Sequence, residues 1–210
     1  MKKRREIGSQ RERSDATRAE LVTAARAAFA TLGYAATSLD DVVDAAGVTK
    51  GALYYHFDSK QDLFQAVYAS VQDDLARAMT DAAAEHADPW EGYGAGLRAF
   101  LEASLDPGVQ RITLLDAPSV LGWETMREIR ADYGLKVVKD SLASAIASGL
   151  IADRPVGPLA HLLLGAAYEG AMTIARSEDQ QATTEQVLQE FRGFIDAFAI
   201  RGPKGFPNAA

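Results

Sequence analysis

Cysteine is absent from all 210 residues. That excludes a disulfide scaffold, thiol redox sensing, cysteine-ligated zinc and iron–sulfur chemistry. Long apolar runs are missing too, and the basic opening MKKRREIGSQRER lacks the apolar segment of a secretory signal, so a soluble, cytoplasmic protein is expected. No stretch alternates apolar and polar residues as a half-buried strand does, and alanine is abundant, which together predict an all-α fold. Enzyme signatures are lacking as well: there is no G-x-S-x-G elbow, no H-E-x-x-H and no phosphate loop ending in G-K-[ST]. Gly92-Tyr-Gly-Ala-Gly96 has neither the preceding strand nor the glycine spacing of a dinucleotide site, and reads as a flexible or closely packed helix start. No catalytic residue, cofactor or metal is therefore expected.

What is present begins with an uneven charge. The net charge of −7 argues against a nucleic-acid partner until it is divided along the chain. Residues 1–60 hold ten Lys/Arg against eight Asp/Glu, net +2, whereas the remaining 150 hold twelve against twenty-one, net −9. Within the first eighteen the ratio is seven to three, a basic arm able to follow a phosphate backbone or enter a minor groove, or else a solubilising tail. Asp40, Asp41 and Asp44 imitate a metal cluster, but first-turn acids complementing a helix dipole account for them.

Residues 38–60, SLDDVVDAAGVTKGALYYHFDSK, carry the most information. Ser38 followed by Asp41 is a capping box that starts a helix with Val42, Val43 and Ala46 inward. Gly47 ends it in the left-handed conformation. Thr49 caps a second helix in which Leu53 and Phe57, four apart, define one buried face. The opposite face presents Thr49, Lys50, Gly51, Tyr54 and His56, donors and small residues in place of carboxylates. Such a face suits a polyanion: Lys50, Tyr54 and His56 bond phosphate oxygens, and Gly51 and Ala52 let the helix approach base edges.

At this point V-T-K-G-A-L-Y-Y-H-F-x-S-K-x-x-L-F resembles the helix-turn-helix of TetR-family transcriptional regulators. The likeness runs from about Thr17 to Phe64 and includes Phe29 and Gly33-Tyr34. It implies DNA contacts from Ser38, Thr49, Lys50, Gly51, Ala52, Tyr54, Tyr55, His56 and Lys60, and a division into a helix-turn-helix domain over 1–60 and a helical effector-binding and dimerisation domain over 61–210, about nine helices in all. It further implies a homodimer through the last two helices on a pseudo-palindromic operator, released as a repressor by a small molecule. The alternative is an all-α small-molecule-binding module or enzyme that does not bind DNA.

The rest of the chain reads as helices punctuated by proline and glycine. Thr17 and Glu20 predict the cap of helix 1, whose stripe is Leu21, Ala25, Ala28, Phe29 and Leu32. Ser59 and Asp62 cap a long helix carrying Leu63, Val67, Val71 and Leu75. Asp88 and Pro89 open the next, Arg111 to Asp116 is a short apolar helix ended by Pro118, and one helix is predicted over 123–148. Helices over 157–177 and 183–200 precede a Gly/Pro tail expected to be disordered. The first of these is apolar nearly all round, and the second carries Leu188 and Phe194 beside the stripe Val187, Phe191, Ile195 and Phe198, a surplus that predicts self-association through 157–200. Candidate effector contacts are Phe100, Leu114, Trp123, Met126, Tyr133, Tyr168, Glu169 and Met172, with His161 a further polar group; this mixture favours a hydrophobic or aromatic small molecule.

Overall fold

The computed structural model describes residues 2–198, with only the backbone described for residues 2–10. It is all-helical: α1 (Lys2–Leu32), α2 (Leu39–Ala46), α3 (Lys50–His56), α4 (Lys60–Ala84), α5 (Pro89–Ala103), α6 (Pro107–Gln110), a π-helical segment (Arg111–Asp116), α7 (Ala117–Val120), α8 (Gly122–Asp132), α9 (Gly134–Ala147), α10 (Val156–Ala175) and α11 (Gln180–Asp196). The expected Gly/Pro tail and the end of the expected last helix, residues 199–210, lie outside the described residues.

Two compact units form. One comprises Met1–Val71 and Pro107–Met126, the other Gln72–Asp106 and Arg127–Ala210. The unit holding the helix-turn-helix pattern thus reaches past residue 60 and takes in a distant piece of chain. Its core is apolar and aromatic: Leu21, Ala25, Phe29, Leu53, Phe57, Leu63, Phe64, Val67 and Val71 are all buried. Phe29, Tyr34 and Phe64 form a triangle of rings with centroids 5.1 to 5.8 Å apart.

The second unit is built around α10, which buries Leu159, Ala160, Leu163, Leu164, Ala167, Tyr168, Ala171 and Ile174. Helices α4 and α5 meet there at glycines. A Cβ on Gly96 would lie 2.9 Å from the Met79 carbonyl oxygen, and one on Gly92 would lie 2.9 Å from that of Ala83. Gly92-Tyr-Gly-Ala-Gly96 is therefore a close-packing face, one of the two structural readings of its sequence.

Several predicted boundaries move, each for a local reason. Thr17 caps nothing, because α1 starts at Lys2; the charged stretch before it contains no proline, and its Lys, Arg and Glu residues favour helix. Leu32, placed in the buried stripe, is 50% exposed, being the last helical residue before Gly33 turns the chain at φ +82°. Pro118 does not end the segment before it but sits in the first turn of α7, where its missing N–H costs nothing. The preceding ladder widens instead, with the Ala117 N–H reaching Ile112, five residues back. The helix predicted over 123–148 breaks at Tyr133, whose φ −116° and ψ −100° are not helical. Gly134 then brings α9 close to α10, where a Cβ would meet Leu164 at 3.4 Å; packing at this contact overrides continuous helix propensity. Finally, α11 starts three residues early because Asp179 accepts the Ala182 N–H at 2.9 Å.

Candidate nucleic-acid interface

The two-helix motif forms as its caps require. Ser38 accepts the Asp41 N–H at 3.0 Å and donates its hydroxyl to the Asp41 carboxylate at 2.6 Å. Gly47 adopts φ +66°, and its N–H bonds back to the Asp44 carbonyl. Thr49 accepts the Ala52 N–H at 3.2 Å and so starts α3. On that helix Leu53 is fully buried and Phe57, just beyond its end, is 2% exposed. These two anchors turn the other face to solvent: Thr49, Lys50 and Gly51 are exposed, with Tyr54 at 51% and Tyr55 at 79%. A tyrosine that exposed contributes nothing to the core and is available to a partner. Ala52 and His56 are half-buried; the His56 ring stands edge-on to Tyr55 at 5.0 Å.

The supports behind this face are equally specific. The Arg18 guanidinium lies 5.2 Å from the Phe57 ring centre, fixing α1 against the end of α3. Lys60 sits 4.4 Å over the Tyr34 ring and donates to the Ala35 carbonyl at 3.4 Å, so this expected DNA contact also braces the turn after α1. Asp116, at the end of the π-helical segment, accepts the Tyr34 N–H at 2.8 Å. Gln61 donates to the Val120 carbonyl at 2.8 Å. Asp116 and Gln61 had no sequence signal as supports, because their partners lie 82 and 59 residues away.

Electrostatics adds one contact that sequence reasoning missed. The Lys50 ammonium is 2.7 Å from Asp40, and the hydrogen bond and charge of that carboxylate raise the lysine pKa above its ordinary value. Its sequence position marks Asp40 only as a first-turn acid of α2. The turn at Gly47 brings the starts of α2 and α3 together, a feature a helix-by-helix reading does not contain. Among the described residues no group of three or more His, Cys, Asp or Glu is placed to hold a metal.

The residues expected to contact an effector are distributed unevenly. Phe100 and Tyr168 are buried in the second unit and meet edge-to-face at 5.2 Å; Tyr133 and Met172 are half-buried there, and Glu169 and His161 are exposed. Desolvation, followed by the charges of Arg127 and Lys139, lowers the His161 pKa. Leu114 and Met126 are buried in the first unit, and Trp123 is 69% exposed. An open cleft of about 720 Å³ between α5 and α11 is lined by Trp90, Leu97, Arg98, Glu185, Leu188 and Arg192 among others, and by none of the expected set. Gln72, Arg130 and the Arg98–Glu185 pair also carry no sequence signal.

Comparison with known proteins agrees with the geometry. Residues 21–67 match the model of bacterial regulatory proteins of the tetR family, and residues 90–198 match the tetracyclin repressor-like C-terminal domain. The regulator SrpR of Pseudomonas putida is 30% identical over 198 residues, covering 91% of this chain and 89% of its own. The probable acrEF/envCD operon repressor of Escherichia coli is 40% identical over 77 residues, 36% of this chain and 34% of that one. A crystal structure of a TetR-family transcriptional regulator from Pectobacterium atrosepticum is 32% identical, covers 92% of this chain and 99% of its own, and superposes with a TM-score of 0.78. A capped two-helix motif with a donor-bearing outer face, inside a chain matched at both its N-terminal and C-terminal parts, identifies this protein as a member of the TetR family and a helix-turn-helix DNA-binding transcriptional regulator.

Proposed function

We propose that the protein is a cytoplasmic homodimeric repressor that reads a pseudo-palindromic operator with α3 and releases it when a small molecule binds the C-terminal unit. The observation that carries the DNA half is the division of α3: Leu53 is buried while Lys50, Gly51, Tyr54 and Tyr55 face solvent. In this reading Lys50 and Tyr54 meet phosphates or base edges, Gly51 and Ala52 permit close approach, Ser38, Thr49 and Lys60 contact the backbone, and Tyr55 and His56 flank the groove. Residues 1–60 supply the DNA contacts and residues 61–210 the effector and dimer functions.

Two observations support dimerisation through α10 and α11. Leu162 is 66% exposed and Phe194 45% exposed, one large apolar side chain on each helix. Gly165 and Gly193 have open space where a Cβ would point, so backbones from a second copy can approach. A recognition helix needs a second half-site about one DNA turn away, roughly 34–36 Å, and a two-fold dimer supplies it. Repression is favoured because a relative of this motif is named an operon repressor.

Fluorescence anisotropy on a duplex selected from a random pool tests the DNA half. Affinity should fall by roughly 10³-fold or more between about 50 and about 200 mM salt, and Lys50→Ala should flatten the salt slope by about two, one contact per protomer. Salt-independent binding, or an unaltered slope in the variant, sinks the interface. The effector half is tested by screening a small-molecule library for release of the same duplex; a library in which nothing releases it sinks that half.

A further inference from the structure

Gln72 lies on α4 in the second unit and is 1% exposed. Its Oε1 accepts the hydroxyl of Tyr168, while its Nε2 has no hydrogen-bond partner. A carboxamide taken out of water with one of its polar atoms unmatched costs about as much as a lost hydrogen bond, and native interiors keep few such groups. Turning the amide over does not remove the mismatch. Nε2 would then donate to the tyrosine oxygen and Oε1 would be the atom left over. A core selected for stability alone is served better by leucine or methionine at this position.

The Tyr168 ring, whose hydroxyl meets this amide, has neighbours of its own. Phe100 stands edge-on to Tyr168 at 5.2 Å, and the Arg130 guanidinium lies 3.6 Å over the Tyr168 ring. Ser104, the buried hydroxyl just past the end of α5, is already bonded to the Phe100 carbonyl at 2.7 Å. Aromatic surfaces take an aromatic guest edge-on or offset. The amide is neutral and the Arg130 guanidinium is already engaged on the Tyr168 ring, so an ionised group brought against the amide loses its hydration for a single neutral hydrogen bond. An oxygen of a hydroxyl or carbonyl accepts from Nε2 without that loss, and a hydroxyl also satisfies the reversed amide.

We propose that Gln72 is the hydrogen-bonding anchor of the effector site, and that the effector is a small uncharged aromatic molecule bearing a hydroxyl or carbonyl oxygen. This rests on the effector reading above and names the chemistry of that site: Phe100 and Tyr168 supply the surface, and the Gln72 carboxamide fixes the orientation. A site of this kind discriminates against an isostere without the oxygen, because binding that isostere leaves the amide unmatched.

Isothermal titration calorimetry of the full-length protein with 1-naphthol, 1-methylnaphthalene and 1-naphthoate tests it. Naphthol should bind about tenfold tighter than methylnaphthalene, the effect of one buried neutral hydrogen bond, and tighter than naphthoate. Gln72→Met should reduce the preference over methylnaphthalene to near parity. Because that variant strands the Tyr168 hydroxyl, the double variant Gln72→Met with Tyr168→Phe removes both partners at similar volume and guards against misfolding, which circular dichroism reports. Equal binding of naphthol and methylnaphthalene, a preference that survives in both variants, tighter binding of naphthoate, or binding of none of the three overturns the assignment. Those outcomes leave the library release assay to decide, separately, whether the protein responds to any effector.

Discussion

The two units bury different things. In the first, the side chains proposed to meet DNA are outside, and the interior of Phe29, Leu53, Phe57, Leu63 and Phe64 holds them in place. Both bury hydroxyls that donate to a carbonyl four residues back, Thr37 and Thr113 in the first, Ser104 and Thr184 in the second; what sets the second apart among the described residues is a buried carboxamide, Gln72, on which the Tyr168 hydroxyl ends. A surface that meets an external polymer needs a rigid apolar support; a compartment that admits a molecule needs polar atoms held within apolar walls.

The largest test of this contrast is Phe57→Ala. It opens a cavity under α3 and removes the ring beneath Arg18, so it should cost about 3–5 kcal/mol in urea unfolding and abolish operator binding. A loss under about 1 kcal/mol would show that the outer face does not depend on its apolar support. Next is Gly96→Ala in the second unit. Its Cβ would lie 2.9 Å from the Met79 carbonyl oxygen, so α4 and α5 must move apart, at about 1–3 kcal/mol even though alanine favours helix by about 1. An unchanged melting temperature would mean the two helices have room to separate.

The smallest effect belongs to the Arg98–Glu185 pair, bonded at 2.7 and 3.1 Å between α5 and α11. The hydrogen bond from Arg98 lowers the Glu185 pKa below its ordinary value near 4.5. A carboxylate whose pKa is depressed on folding adds stability that is complete above the unfolded pKa and disappears as pH falls through the folded one. The urea midpoint should therefore drop more between about pH 6 and about pH 3 in the wild type than in Glu185→Gln. Equal drops would show that solvent screens the pair completely.

Sequence reading served the two units unequally for the same physical reason. The caps at Ser38, Thr49, Ser59 and Asp88 and the left-handed Gly47 are interactions between residues two to four apart, and all form. Leu53 and Phe57 declared the buried face by their spacing. The contacts that make up the second unit join residues far apart: Gln72 to Tyr168, Arg98 to Glu185, the Trp90 indole to Asp196. Nothing near Gln72 in the sequence marks it as buried, since it follows Val71 in a helix whose next residues are Asp73 and Asp74. Of the aromatics expected to contact an effector, Phe100 and Tyr168 are buried, whereas Trp123, expected on the same hydrophobic criterion, faces solvent. Hydrophobicity identifies candidates for a core without saying which core, or whether a large ring is left outside.

The Lys50–Asp40 contact gives α3 a resident anion before any duplex arrives. If Lys50 meets DNA as proposed, docking is an exchange reaction in which a phosphate or guanine oxygen displaces a carboxylate, rather than the capture of an idle cation. An exchange of this sort weakens every encounter with arbitrary duplex by a similar amount, and is overcome only where neighbouring contacts hold the incoming oxygen in place. Along a chromosome dominated by incorrect sites, such a pair would then shorten each futile stop and leave more of the protein free to find the correct one.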